Sequence, residues 1–185
     1  MIKLITANYK ISGGRRHSIH WRMLFVASLL QFTSLTALAQ VPELPLPASA
    51  SGHATTAQFY AGNTFDGGAT FATAFAADQA ITILAEIRVE ENHVNSVGNI
   101  YLVVVLGEQM YIRIESGEFA LWDGSLETLV AAFPGKTLQA IEAFSVIEDV
   151  PFGAVGLAGA TLFIYLAYDS VATAGELYYS GTPLS

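Results

Sequence analysis

The chain has 185 residues, 52% of them hydrophobic, with a mean hydropathy of +0.46 and no cysteine. So much apolar material in a chain of one-domain length excludes disorder over most of it, and the missing cysteines exclude disulfides and a lipid-anchored N-terminal cysteine. Lys3, Lys10, Arg15, Arg16 and Arg22 precede residue 40, whereas all sixteen acids follow it, so residues 40–185, with three basic residues, carry a net charge of −13. That balance argues against nucleic acid and anionic membrane surfaces as partners.

The basic first segment runs into an apolar stretch from Met23 to Leu38 and ends in Ala37-Leu38-Ala39, the small-x-small pattern of a secretory signal. A signal peptide over residues 1–39 is therefore expected, with Gln40 as the mature N-terminus. Arg15-Arg16 is followed by His17-Ser18-Ile19-His20, a poor twin-arginine match, so the general secretory route is expected. The expected address is bacterial, secreted or periplasmic. A retained membrane anchor is the alternative, and Gln31, Thr33, Ser34 and Thr36 count against it.

Three prolines between Val41 and Pro47, then Ala48 to Gly52, read as a linker over residues 40–57, which puts the folded domain at 58–185. Gln58 to Ala61 is a short strand, and Gly62 to Gly68 is a turn with glycines, Asn63 and Asp66. Ala69 to Ala76, with Phe71 and Phe75 four apart, is assigned to a strand. Ile81, Ile83, Ala85, Ile87 and Val89 recur at every second position, which predicts a half-buried strand from Gln79 to Glu90.

Val97 to Leu126 reads as a β-meander. Ile100 to Leu106 is apolar on both faces and predicts a central strand, Met110 to Glu115 has one wet face, and Phe119 to Trp122 follows the Ser116-Gly117 turn. Leu126, Leu129, Val130 and Phe133 fall at helical intervals after Asp123-Gly124-Ser125, predicting a short helix or turn. Leu138 to Glu148, Ala160 to Tyr168 and Glu176 to Tyr179 complete the strands. Val150 to Tyr168 is also free of charge for nineteen residues, so a membrane helix competes there, opposed by Pro151 and three glycines. The pattern predicts an all-β fold, a single β-sandwich, immunoglobulin-like or jelly-roll-like, of about eight strands with one short helix.

Gly98-Asn99-Ile100-Tyr101, Met110-Tyr111, Gly117, Trp122-Asp123-Gly124, Leu126 and Leu129, with Ile164-Tyr165-Leu166-Ala167-Tyr168 and Gly175-Glu176-Leu177-Tyr178-Tyr179, resemble a module of exported bacterial proteins. The resemblance covers roughly residues 80–185. It implies an accessory β-rich unit attached to varied hydrolases or to chains of unknown role, with no activity of its own assigned. Ala167 stands where similar chains often have glycine and Asp169 where they often have arginine. Ser185 falls where a further apolar strand is expected, so the last strand ends early or the copy is truncated.

Candidate chemistry is sparse. His53, in the linker, and His93, in a polar turn, are the histidines of the mature chain, neither reads as held by a third group, and there is no Gly-x-Ser-x-Gly elbow. Zinc would need cysteine or His-x-x-x-His. Calcium is the ion whose oxygen ligands the chain offers, from Asp66 in its glycine loop or Asp123 beside Glu127, although these also suit turns that bond their own backbone. No other cofactor is implied. A carboxylate pair for glycoside hydrolysis would come from Glu86, Glu90, Glu115, Glu118 or Glu142. Trp122, Tyr111 and Tyr101 share one meander and are the candidate platform for stacking a sugar ring, against a structural role in which Trp122 caps the core. The expected function is a binding or structural module, with carbohydrate or another exported protein as partner. The alternatives are a small secreted hydrolase and a membrane-retained subunit.

Overall fold

The computed structural model describes residues 39–185; the expected signal peptide, apart from Ala39, lies outside the described residues. In chain order the strands are β1 (Glu43–Leu44), β2 (Pro47–Ser49), β3 (Gln58–Thr64), β4 (Ala80–Arg88), β5 (Val97–Leu106) and β6 (Gln109–Arg113). They continue with β7 (Phe119–Trp122), β8 (Phe133–Thr137), β9 (Ile141–Pro151), β10 (Leu162–Ser170) and β11 (Leu177–Ser180). One antiparallel sheet has the order β1-β3-β4-β9. The other runs β2-β11-β10-β5-β6-β7, with β8 also paired to β5. Helix among the described residues is limited to 3₁₀ turns at Glu91–His93, Leu126–Thr128 and Val171–Thr173.

The period-2 patterns decide which faces meet. In β4 the side chains of Ile81, Ile83, Ala85 and Ile87 are buried while Thr82, Leu84, Glu86 and Arg88 are partly exposed, as alternation requires of a half-buried strand. In β5 Ile100, Leu102 and Val104 face the same interior from the other sheet. Phe59 of β3 meets Tyr168 of β10 at 6.3 Å, and Phe133 of β8 meets Phe144 of β9 at 5.2 Å, so the two sheets share one sandwich-like core. The meander β5-β6-β7 is present, and β5 is central, flanked by β10 on one side and by β6 and β8 on the other.

Four expectations are corrected, and the strands among the described residues number eleven rather than about eight because β1, β2 and β8 lie in stretches read as linker or turn. The stretch read as a linker supplies two edge strands, β1 on β3 and β2 on β11, and buries Leu44 and Ser49. Pro42 and Pro45 flank β1, and Pro47 opens β2; proline is tolerated at such sheet edges because its missing N–H costs no ladder bond. Ala69–Ala76 is not a strand and pairs only through an isolated bridge, Asn63 with Ala72, because Phe65 and Phe75 pack edge to face at 6.2 Å around a loop instead. The helix after Ser125 is one 3₁₀ turn, with the Ser125 hydroxyl accepting from Glu127 N. Val150 to Tyr168 forms the end of β9, a loop and most of β10, so the membrane-subunit reading of this stretch fails; no helix among the described residues is long and apolar enough to cross a membrane.

Candidate binding groove

Register turns the meander's outward residues into one surface. Tyr101, Val103 and Val105 of β5 lie opposite Ala167, Tyr165 and Phe163 of β10, while Val103 and Val105 also lie opposite Ile112 and Met110 of β6. Met110 in turn faces Trp122 of β7, and Ala167 faces Tyr179 of β11. Paired residues share a face, so the outer side of the seven-stranded sheet carries a band of aromatic and aliphatic side chains. Leu126 and Leu129, from the segment after β7, rise beside it to make a groove of about 500 Å³, whose walls include Trp122, Tyr165, Tyr179 and Met110.

Trp122 is fixed by its edge rather than by its faces. Its indole N–H donates to Ser125 O at 3.0 Å and to Thr128 Oγ1 at 3.1 Å. Asp123 Oδ1 accepts from Ser125 N at 2.9 Å and Thr128 Oγ1 at 2.5 Å, which closes the turn that carries those acceptors. The ring is half-buried on the outer face, so it does not cap the core.

A polar recess of about 200 Å³ adjoins the groove, sharing Ala50, Leu126, Leu129 and Leu177 with it and adding Tyr101, Asp169 and Glu176. Asp169 accepts from Asn99 N and Nδ2, both at 2.9 Å, and from the Tyr101 hydroxyl at 2.7 Å, while Asn99 Oδ1 accepts from Gly135 N. Burial, and after it the Asp169 carboxylate, push the Tyr101 phenol well above its usual range, so it stays a donor. Ser51 N donates to Glu176 at 3.0 Å and, with the nearby serine hydroxyls, holds that carboxyl below the usual range.

Trp122 and Tyr101 thus share the outer face, but Tyr111 does not. It pairs with Val104, faces the interior and packs on the core, its hydroxyl donating to Gln109 Oε1. Tyr165, Tyr179, Asp169 and Glu176 were not singled out from sequence for this role. For Tyr165 the signal was its alternation with Phe163 along β10; Tyr179, beside Tyr178, and the two acids join a site only once the register with β5 is known.

The calcium candidates are separate. Asp66 accepts from Thr64 Oγ1, Thr70 N and Thr70 Oγ1, and these bonds lower its pKa to about 2. Asp123 is taken by its own turn, and Glu127 contributes its backbone N–H to Ser125. Among the described residues no three His, Cys, Asp or Glu side chains gather as a metal site. Because each Asp66 oxygen already has a donor, millimolar calcium is expected to leave the thermal midpoint unchanged within a degree. Asp66→Ala is expected to speed amide exchange at Gly68 and Thr70. A calcium-dependent rise in the midpoint would restore the metal reading.

The carboxylate candidates are engaged too. Glu86 pairs with Arg88, Glu90 accepts from Thr55 Oγ1 and Thr56 N, and Glu142 pairs with Lys136 and accepts from Gln139 N. Glu86 and Glu142 sit on opposite faces of their sheet, since Glu142 pairs with inward-facing Ile87, the neighbour of Glu86. Glu115 and Glu118 lie in or beside the β6–β7 turn, where Glu118 accepts from Ser116. His53 is exposed beside Ser51. His93 corrects its expectation: it is fully buried and held on both nitrogens, by Tyr168 OH at 3.0 Å and Thr173 Oγ1 at 3.1 Å, because the turn after β4 tucks it between Tyr168 and Tyr178. Compared with family models, curated proteins and solved structures, the chain matches none.

Proposed function

We propose that residues 40–185 form a secreted bacterial binding module that holds a carbohydrate in the outer groove of the seven-stranded sheet. The observation that carries this reading is Trp122, half-exposed and fixed by its N–H edge, beside Tyr165 and Tyr179 and next to a recess with two carboxylates. A flat ring fixed in place stacks on the C–H face of a sugar at little entropic cost, and Glu176 supplies an acceptor for its hydroxyls while Asp169 holds Asn99 and Tyr101 in place.

The recess's electrostatics support binding over hydrolysis. A glycosidase needs one carboxyl kept protonated by a raised pKa. Glu176 is shifted the other way, and both Asp169 oxygens are already taken by Asn99 and Tyr101. Glu176 is equipped to accept hydrogen bonds from sugar hydroxyls, not to protonate a leaving group.

The test is a glycan array followed by calorimetry on the protein expressed from its full-length chain. Saturable binding is expected, with affinity reduced at least tenfold in Trp122→Ala while circular dichroism is unchanged, a factor equal to about 1.4 kcal/mol. Binding that survives Trp122→Ala would remove the groove from the reading. No binding to any glycan would leave an architectural module.

A further inference from the structure

A second surface lies on the flank of the sandwich, away from the groove. Sheet edges are ordinarily kept short or blocked, because unpaired N–H and C=O groups recruit other strands. Four edges here obey that rule: β1 has two residues, β2 three, β7 four, and β8, which pairs with β5 alone, five with a proline among them. The fifth is long and is blocked only in part, by a bulge and the inward-facing Glu142. β9 has eleven residues and pairs on one side only, with β4. Its bulge opposite Ile83 leaves Ile141–Ser145 in regular register, and its one proline, Pro151, stands at the end.

Beside this edge the two sheets part. A cleft of about 320 Å³ lies between β9 and the β6–β7 hairpin, bounded by Arg113, Gly117, Phe119, Ser145, Val146 and Glu148. It shares Phe119, Val146, Ile147 and Val150 with an apolar cleft of about 220 Å³ that reaches Val104 and Leu106 between the sheets. A strand laid along Ile141–Ser145 would find a regular row of hydrogen-bonding groups, and its continuation past Ser145, where β9 is bulged, would bring side chains to the cleft, which is the geometry of strand addition.

Arg113 adds chemical selectivity. Of the three Lys and Arg side chains after residue 40, Arg88 pairs with Glu86 and Lys136 with Glu142, but Arg113 has no acid within 4.0 Å among the described residues. Its guanidinium lies over the Phe133 ring at 5.3 Å, and its Nε is buried without a hydrogen-bond partner. A buried donor left unpaired costs free energy that an arriving acceptor restores, and a carboxylate fits the guanidinium fork best. That it has no ion-pair partner amid sixteen acids sets Arg113 apart from Arg88 and Lys136 among the described residues.

We infer that the β9 edge is a strand-addition site for an extended segment of a partner protein that brings one carboxylate to Arg113 and apolar side chains to the clefts. Glu148 in the cleft and the net charge of −13 limit the segment to that single acid, because further negative charge would be repelled. The carboxylate is an Asp or Glu side chain or the segment's own C-terminus, and the chemistry is the same for each.

The experiment selects random decapeptides, displayed with free and with amidated C-termini, on the immobilised full chain, then measures the enriched peptides as synthetic ligands. The expected peptides carry one carboxylate and apolar residues at alternate positions, and their binding slows amide exchange in β9. Arg113→Met is expected to weaken them tenfold or more and Arg113→Lys to restore part of the loss. Should Arg113→Met fail to fold, replacing the peptide's acid by its amide on the wild-type protein gives the same reading. Absence of enrichment, indifference to both changes, or protection away from β9 would overturn the proposal. So would β9 protection that grows with protein concentration alone, which would assign the edge to a second copy of the chain.

Discussion

Alanine at Gly98 is expected to cost about 3 kcal/mol of stability, the upper part of the range for overpacking, and to lower the thermal midpoint by roughly 6–12 °C. Gly98 is the second residue of β5, where the strand is paired on both sides, to Ser170 of β10 and Lys136 of β8. An added Cβ would lie 2.3 Å from the Asp169 carbonyl oxygen and 2.7 Å from Leu138 Cδ1. Neither neighbour can yield. Leu138 is fully buried, and Asp169 is tied at its backbone to the β5–β10 ladder and at its carboxylate to Asn99 and Tyr101. The substitution should therefore also disturb the recess beside the groove. Gly107→Ala is the matched control: its φ is +61° with nothing within 4 Å, so only the backbone penalty of about 1 kcal/mol applies. Urea titrations of both variants decide it, and equal losses at the two glycines would refute the close-approach argument.

Period 2 explains which parts of this architecture could be read from the chain. β4 and the meander are legible because one face of each strand is buried and one-residue slips would expose it, so the pattern is written locally. β1 and β2 are not, because their stability comes from Tyr60, Phe59, Tyr178 and Tyr179 across the sheets, while locally they show prolines and small residues. The site divides the same way. Trp122 and Tyr101 are visible as aromatics near turns, but only register shows that Tyr111 lies on the other face and that Tyr165 and Tyr179 join the groove. Arg113 was the least legible, since being unpaired is a property of surroundings and sixteen acids offered partners on paper.

His93 carries the second large effect and a pH dependence. Glu90 N donates to the Tyr168 hydroxyl, so the arrangement that leaves no buried hydrogen unpaired has Tyr168 donating to Nδ1 and a neutral His93 donating from Nε2 to Thr173. His93→Ala removes the acceptor of a buried phenol and opens a void between Tyr168 and Tyr178, with an expected loss of about 3 kcal/mol. Desolvation lowers the His93 pKa from 6.5, against a smaller opposing pull from Glu90, whose carboxylate lies 3.9 Å from Nε2. The unfolded chain then binds the proton more readily than the folded one, so stability is full above pH 6.5 and declines as pH falls from there toward the lowered folded pKa. Within that window the slope is at most about 1.4 kcal/mol per pH unit, because one proton is involved. His93→Phe keeps the ring volume and removes the titration, so it is expected to be less stable than wild type at pH 7.5 and to lose less on going to pH 5. Urea midpoints at the two pH values measure both effects, and an unchanged pH slope in His93→Phe would assign the acid sensitivity to other groups.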